Sequence, residues 1–282
     1  ISESDSFPGN LYILEGITSH QNIKNRLLGI EGNSLEELLN NQVAVVTFSH
    51  VNYLTGEIMP IADLVKKTHD AGALFILDTC HSAGVLQVEL DRWNVDFAVW
   101  CGYKYLNGGP GAPSGVFIHE RHLGKSDIPR FEGWWGYDKS TRFQMTDKFV
   151  PTATAEAWQL SNPPIFSMAS LLASLEIFHE AGIESLREKS EKLTSYLELL
   201  LKSELKDHIT IITPVSVRDR GCQLSIRLNN PIYNIIDILH EKGAICDWRD
   251  PDVLRVAPVP LYNSFDDCYQ FVHLLKEILN GS

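Results

Sequence analysis

VAVVTFSHVNYLTGEIMPIADLVKKTHDAGALFILD, residues 43–78, carries the pattern that decides the fold. Its ends, VAVVTF (43–48) and ALFILD (73–78), are short apolar runs closed by polar residues, as expected of strands buried on both faces. Between them Pro60 suits the first turn of a helix, Ile61, Leu64 and Val65 recur at helical spacing, and Gly72 marks the stop. Strand, helix, strand predicts a parallel βαβ unit with a right-handed crossover. DFAVWC (96–101) has the same buried-strand character, and GVFIHE (115–120) gives another strand after a glycine-rich turn. The fold class expected is α/β, a mostly parallel sheet with flanking helices.

Beyond residue 123 the pattern changes. Residues 123–162 are rich in Pro, Gly, Trp and charge without a clear period, too long for an ordinary connection and more typical of a functional or partner-facing segment. Helix-forming sequence then runs from PPIFSMASLLASLEIFHEAG through ESLREKSEKLTSYLELLLKSEL, ending near Lys206. TIITP, CQLSIRL, a helix near 231–242, AICDW, VLRVAPV and a last helix from 265 make a smaller α+β unit. The division predicted is a large domain over 1–162, connecting helices over 163–206 and a small C-terminal domain over 207–282.

The 282 residues, 44% hydrophobic and 21% charged, have the balance of a soluble globular protein with room for a sizeable core. A net charge of −12 argues against nucleic acid or an anionic membrane as partner. No stretch approaches the ~20 apolar residues of a transmembrane helix. The five cysteines, odd in number and without a C-x-x-C pair, suggest reduced thiols and a cytoplasmic protein. The chain opens at Ile1 with no sign of a targeting peptide, and is expected to be the remainder of a longer protein.

Three polar features fall where strands of an open α/β sheet end, the place where ligands gather: Ser49 after the first run, Asp78 with His81 after the second, and Lys104 after the third. Lys104 lies in WCGYKYLNGGPG beside Trp100, Tyr103 and Tyr105. Two readings stand for it: a stem packed over rings with its head in water, or a reactive amine whose charge is disfavoured by burial. Asp78 alone reads as a helix cap, and His81 alone as packing in the turn. A carboxylate and a lysine on one sheet edge suit pyridoxal phosphate, the lysine forming a Schiff base and the acid pairing with the pyridinium nitrogen.

LDTCHSAG, DFAVWCGYKYLNGGPG, GWWG, STRF, LSNPPI, RGCQLSI and LRVAPVPLYNSF together resemble the kynureninase family, fold-type-I pyridoxal-phosphate enzymes related to class V aminotransferases. The resemblance runs in order from FPGN at 7 to the last helix. It implies an aspartate-aminotransferase-like large domain and hydrolysis of L-kynurenine or its 3-hydroxy form to an anthranilate and L-alanine, in tryptophan catabolism. It further implies that Lys104 is the Schiff-base lysine, Asp78 the pyridinium partner, and His81 a neighbour of the cofactor, with Tyr103 serving the phosphate and proton transfer. Phe7, Asn10, Ser49, Trp134 and Asn162 match cofactor-contacting positions, Trp134 and Asn162 being supplied across a homodimer interface. Arg255 matches the arginine for the substrate α-carboxylate, a task its planar fork suits.

Three departures from the family pattern bear on this. Asn10 stands where an acidic residue is usual, Tyr137 where histidine is common, and the family's N-terminal part, which helps cradle the phosphate, is absent from the sequence. Other readings are an aminotransferase using the same Lys104 and Asp78, a cysteine desulfurase, which needs a cysteine on a mobile loop, and a non-catalytic homologue. HERH (119–122) lacks the H-E-x-x-H spacing of a zinc site, and NGGPGAPSG lacks the G-K-[ST] ending of a nucleotide loop. No metal is expected.

Overall fold

The computed structural model describes residues 1–125 and 127–281. The first half of the chain forms β1 (Ser2–Glu3), α1 (Pro8–His20), β2 (Leu27–Leu28), α2 (Leu35–Leu38), β3 (Val45–Ser49), α3 (Ile61–Asp70), β4 (Leu74–Asp78), β5 (Phe97–Trp100) and β6 (Gly115–Ile118). The six strands make one sheet in the order β2-β1-β3-β4-β5-β6. All its pairs are parallel except β5–β6, which is antiparallel. Two-residue periodicity turns Val46 and Phe48 of β3 and Phe75 and Leu77 of β4 inward, where they meet Ile61, Leu64 and Val65 of α3. Pro60 caps α3, and Gly72, with φ +80°, turns the chain back into β4. Ser49 pairs with Asp78, and Asp78 with Val99, so the carboxyl ends of β3, β4 and β5 lie level.

The βαβ unit is as the sequence predicts, but α1 is an addition. It had no legible period because its apolar residues Tyr12, Ile13 and Ile17 are exposed rather than gathered on a buried face.

Among its described residues the segment 123–162 contains three short 3₁₀ turns, and it is organised around Arg142. The buried Arg142 guanidinium donates to the carbonyls of Trp135 at 2.7 Å and Tyr137 at 3.0 Å and lies over the rings of Trp134 and Trp135. Phe131, Trp134 and Phe143 of this segment remain exposed.

Two helices follow, α4 (Ile165–Ala181) and α5 (Ile183–Leu205), separated by Gly182 at φ +76°. The α5 stripe Leu193, Leu197, Leu201 and Leu205 packs on a second sheet, formed by β7 (Ile209–Ile211), β8 (Leu224–Leu228), β9 (Asp247–Arg249) and β10 (Val253–Val256). Its order is β7-β8-β10-β9, antiparallel throughout. The helix expected near 231–242 is the shorter α6 (Ile235–Glu241), and α7 (Phe265–Leu279) lies beside α5. Truncating one of these buried leucines to alanine would cost about 2–5 kcal/mol. Glu198 of α5 meets Arg220, a fully buried guanidinium, at 2.6 Å. Among the described residues no helix is long and apolar enough to cross a membrane.

The two sheets are joined by the loop after β3. Gly221 N–H donates to Gly56 O at 2.9 Å, Ile58 N–H to Asp219 O at 2.8 Å, and Gln223 Nε2 to Tyr53 O at 3.0 Å. Ser225 Oγ donates to Leu54 O. Beyond His50, whose N–H still donates to Asp78 O at 2.8 Å, this loop leaves the first sheet and is held by the second sheet and by the segment that leads into β8.

Candidate active site

The level strand ends place Ser49, Asp78 and the turn after β5 on one edge. Phe7, Asn10, Ser49, Asp78, His81, Tyr103 and Lys104, seven of the positions singled out from sequence, line one cavity of about 230 Å³. A second cavity of about 470 Å³ shares Phe7, Tyr53, His81 and Lys104 with the first and adds Arg255 from the second sheet. The cleft between the two sheets is thus continuous past Lys104.

Asp78 ends β4 and takes two hydrogen bonds. Oδ1 accepts from the Cys80 N–H at 2.8 Å, and Oδ2 accepts from Asn10 Nδ2 at 2.9 Å. At position 10 an amide donates to this carboxylate, where an acid would repel it. Beside it Glu3, buried next to Ser49, accepts the Ser49 N–H at 2.8 Å; burial raises its carboxyl to about 7, and the charges of Asp5 and Asp78 add to the effect.

The turn after β4 is set by Gly84 at φ +86°. A Cβ there would fall 2.7 Å from the Tyr105 carbonyl, so only glycine lets this turn meet the lysine loop so closely. His81 is consequently held edge-on to the Tyr105 ring, centroids 5.8 Å apart. Burial, then the charges of Lys104 and Arg255, lower its imidazole to about 3, and its buried Nδ1 has no partner among the described residues.

The lysine loop is fixed from both sides. Asn107 N–H closes on Lys104 O at 2.9 Å, and Gly108 N–H on Gly102 O at 2.9 Å. From α4, Ser174 Oγ donates to Leu106 O at 2.6 Å and Ser170 Oγ to Gly108 O at 2.7 Å. The ring beneath the Lys104 ammonium is that of Phe7, 5.8 Å away, rather than one of the aromatic residues adjacent in sequence. Tyr103 is half exposed; its phenol is raised above the ordinary value chiefly by a hydrogen bond with the Cys101 thiol. Lys104 has no salt-bridge partner among the described residues.

Arg255 is buried. Its Nε donates to Asp247 Oδ1 at 2.6 Å, Nη2 to Asp247 Oδ2, and Nη1 to Tyr53 O at 2.5 Å. Asp247 and Tyr53 were not read from sequence. The signal for Asp247 was present: AICDW and VLRVAPV, joined by a tight turn, pair with Asp247 opposite Arg255.

Trp134 and Asn162 do not reach this cavity within one chain. Trp134 packs on Phe143 and Arg142, and Asn162 lines a separate, largely apolar space beside α4. Tyr137 is buried, with its hydroxyl 2.7 Å from Thr146 Oγ1, away from both lysine-side cavities. Cys222 is buried among Val51, Val85 and Leu86, with its thiol raised to about 12 by burial, which removes it as a mobile nucleophile.

The geometry fits pyridoxal phosphate. An amine without an ion-pair partner among the described residues, a carboxylate steadied by neutral donors and a buried, neutral imidazole line one cavity, beside the aromatic ring of Phe7.

The family model described as "Kynureninase C-terminal domain" matches residues 186–275. The chain is 51% identical over 238 residues to a kynureninase of Koribacter versatilis, covering 84% of this chain and 56% of that protein. It is 42% identical over 294 residues to a kynureninase of Flavobacterium psychrophilum, covering 98% of this chain and 69% of that protein. The chain thus spans little more than half the length of the first relative. Among solved structures it is similar to a cysteine desulfurase of Thermococcus onnurineus NA1, with TM-score 0.82, 19% identity, and 100% of this chain and 72% of that one covered. It is also similar to a C-DES mutant described with glycine covalently linked to its PLP cofactor, with TM-score 0.81, 20% identity, and 98% and 73% covered. These two share the fold.

Proposed function

The chain belongs to the kynureninase family, and from that premise we propose that it binds pyridoxal 5'-phosphate at Lys104 and hydrolyses L-kynurenine or 3-hydroxy-L-kynurenine to an anthranilate and L-alanine. The observation that carries the proposal is the meeting of Asp78, His81 and Lys104 on the wall of one cavity, with Phe7 and Asn10 beside them.

Lys104 Nζ would hold the cofactor's aldehyde carbon, Asp78 its ring nitrogen, and Tyr103 its phosphate, with Phe7, Asn10, Ser49 and His81 around it. Bound there, the cofactor supplies an electron sink for negative charge on the substrate carbons. Asp78, steadied by Asn10, holds the ring-nitrogen proton in place. Neutral His81 adds no charge beside it. Arg255 binds the α-carboxylate across the cleft and so orients the substrate, which is where much of the rate advantage of such a site lies. With substrate bound, Lys104 Nζ would act as general base, taking the proton from Cα and giving it back there before alanine leaves. A water would add to the γ-carbonyl, its oxygen and one hydrogen staying with the anthranilate acid as the Cβ–Cγ bond breaks, and its other proton would pass to Cβ through the Tyr103 hydroxyl, which ends as it began.

The protein is a cytoplasmic homodimer in this reading, with the partner's copies of Trp134 and Asn162 completing each site; the half-exposed Trp134 and exposed Asn162 support it. The division of the chain is that of a cofactor-binding domain (1–162), connecting helices (163–206) and a small C-terminal domain (207–282), supported by the two separate sheets.

The test is to supply a protein of the relatives' length carrying this chain with pyridoxal phosphate and L-kynurenine. Anthranilate fluorescence and alanine should rise in equal amounts. Transfer of the amino group to a keto acid without anthranilate would replace this reading with an aminotransferase.

A further inference from the structure

Cys80 and Cys101 stand with their sulfurs 3.3 Å apart on the wall of the lysine cavity. Their meeting follows from strand register. Asp78 pairs with Val99, and the Thr79 N–H bond to Val99 O, 2.8 Å long, carries the pairing past the last ladder position. Cys80 and Cys101, each two residues further on, therefore lie side by side on adjacent parallel chains. Parallel neighbours are ~4.8 Å apart, inside the ~4.4–6.8 Å Cα separation that a disulfide spans. Closing the bond asks the sulfurs to approach by about 1.3 Å, from 3.3 Å to ~2.0 Å.

The remaining cysteines differ. Cys222 is sealed in an apolar cluster, and among the described residues Cys246 and Cys268 have no sulfur in contact.

We propose that Cys80 and Cys101 are a dithiol modification site, oxidised reversibly by a peroxide to a disulfide that ties the Asp78 turn to the Lys104 loop. Burial and the nearby Asp78 charge raise the Cys80 thiol well above its ordinary value, so Cys80 stays protonated and the first attack falls to Cys101. The Cys101 thiolate attacks one peroxide oxygen; the S–O bond forms, the O–O bond breaks, and hydroxide leaves to become water. The Cys80 sulfur then displaces the hydroxyl from the Cys101 sulfenic acid, its proton going to that second water as the S–S bond forms. Two thiols lose two electrons and one peroxide becomes two waters.

The experiment needs no cofactor, so its result is independent of the function proposed above. The protein is treated with hydrogen peroxide, alkylated, and mapped by mass spectrometry without reduction. Two of its five thiols should disappear, one peptide pair should join Cys80 to Cys101 at a mass lower by two hydrogens, and dithiothreitol should restore both. Cys80→Ser removes the resolving sulfur, so in that variant Cys101 should trap dimedone as a sulfenic acid, at least tenfold more than in the unaltered protein. Cross-links to Cys222, Cys246 or Cys268, sulfinic acid at Cys101 beside an intact Cys80 thiol, or five thiols surviving excess peroxide would each overturn the proposal.

Discussion

Replacing Glu3 with glutamine should remove a pH-dependent weakness from the sheet edge that carries Ser49 and Asp78. Glu3 is 4% exposed, and its carboxyl is raised from 4.5 to about 7, first by burial and then by the charges of Asp5 and Asp78. Between those values the folded protein keeps a proton that the unfolded chain has released. The folded state binds more protons there, so its stability falls as pH rises through the window. At 1.36 kcal/mol per pH unit, the gap amounts to roughly 3 kcal/mol lost above pH 7. Glutamine is neutral throughout and keeps a side-chain oxygen for the Ser49 N–H. His50 and His81, lowered to about 4 and about 3 by burial, act in the opposite sense, adding stability as pH rises toward 6.5. Both are present in both proteins and cancel in the difference. Urea unfolding at pH 5, 6, 7 and 8 should show the E3Q protein gaining on the unaltered one by about 2–3 kcal/mol across that range, with most of the gain complete by pH 7. A difference that stays constant to within ~0.5 kcal/mol, the usual limit of additivity, would refute the assignment of this titration to Glu3.

Lys104→Ala should leave no pyridoxyl label at this position after borohydride reduction and lower turnover by at least ~10²-fold, as expected for loss of a general base. A label on another lysine would reassign the site. Arg255→Ala removes the fork from the second cavity, and kinetics should show KM for kynurenine raised about tenfold or more, with kcat changed far less. Glu198→Ala strands the buried charge of Arg220 and should cost about 3–5 kcal/mol in urea unfolding; a loss below ~1 kcal/mol would mean that the Arg220 bond to Pro214 O, 3.1 Å long, suffices.

The parts of the fold that could be read from sequence are those where burial imposes a period. β3, α3 and β4 bury their faces fully, and their alternation and helical spacing are visible in residues 43–78. α1 and the two-residue strands β1 and β2 are too exposed or too short to leave such a signature. Residue type pointed to Asp78 and Lys104 because a carboxylate and an amine at strand ends have few other uses together. Partners set by tertiary contact were less legible: Asn10 reaches Asp78 across 68 positions, and Phe7 rather than Tyr103 or Tyr105 lies beneath Lys104. Asp247 and the Cys80–Cys101 pair depend on register, which emerges only when strand ends are placed to within one residue.

The loop over residues 50–58 bears on how this chain can be recombined with its relatives. Its carbonyls at Tyr53, Leu54 and Gly56 are acceptors for Arg255 and Ser225 of the second sheet and for Gln223 and Gly221 just before β8. By sequence it lies between β3 and α3, yet its hydrogen bonds belong with β8 and β10. A chimaera that exchanges only the C-terminal sheet would therefore break a matched set, stranding backbone acceptors in one parent and the buried Arg255 guanidinium in the other. Exchangeable blocks in this fold are discontinuous, with residues 50–58 inherited together with the second sheet.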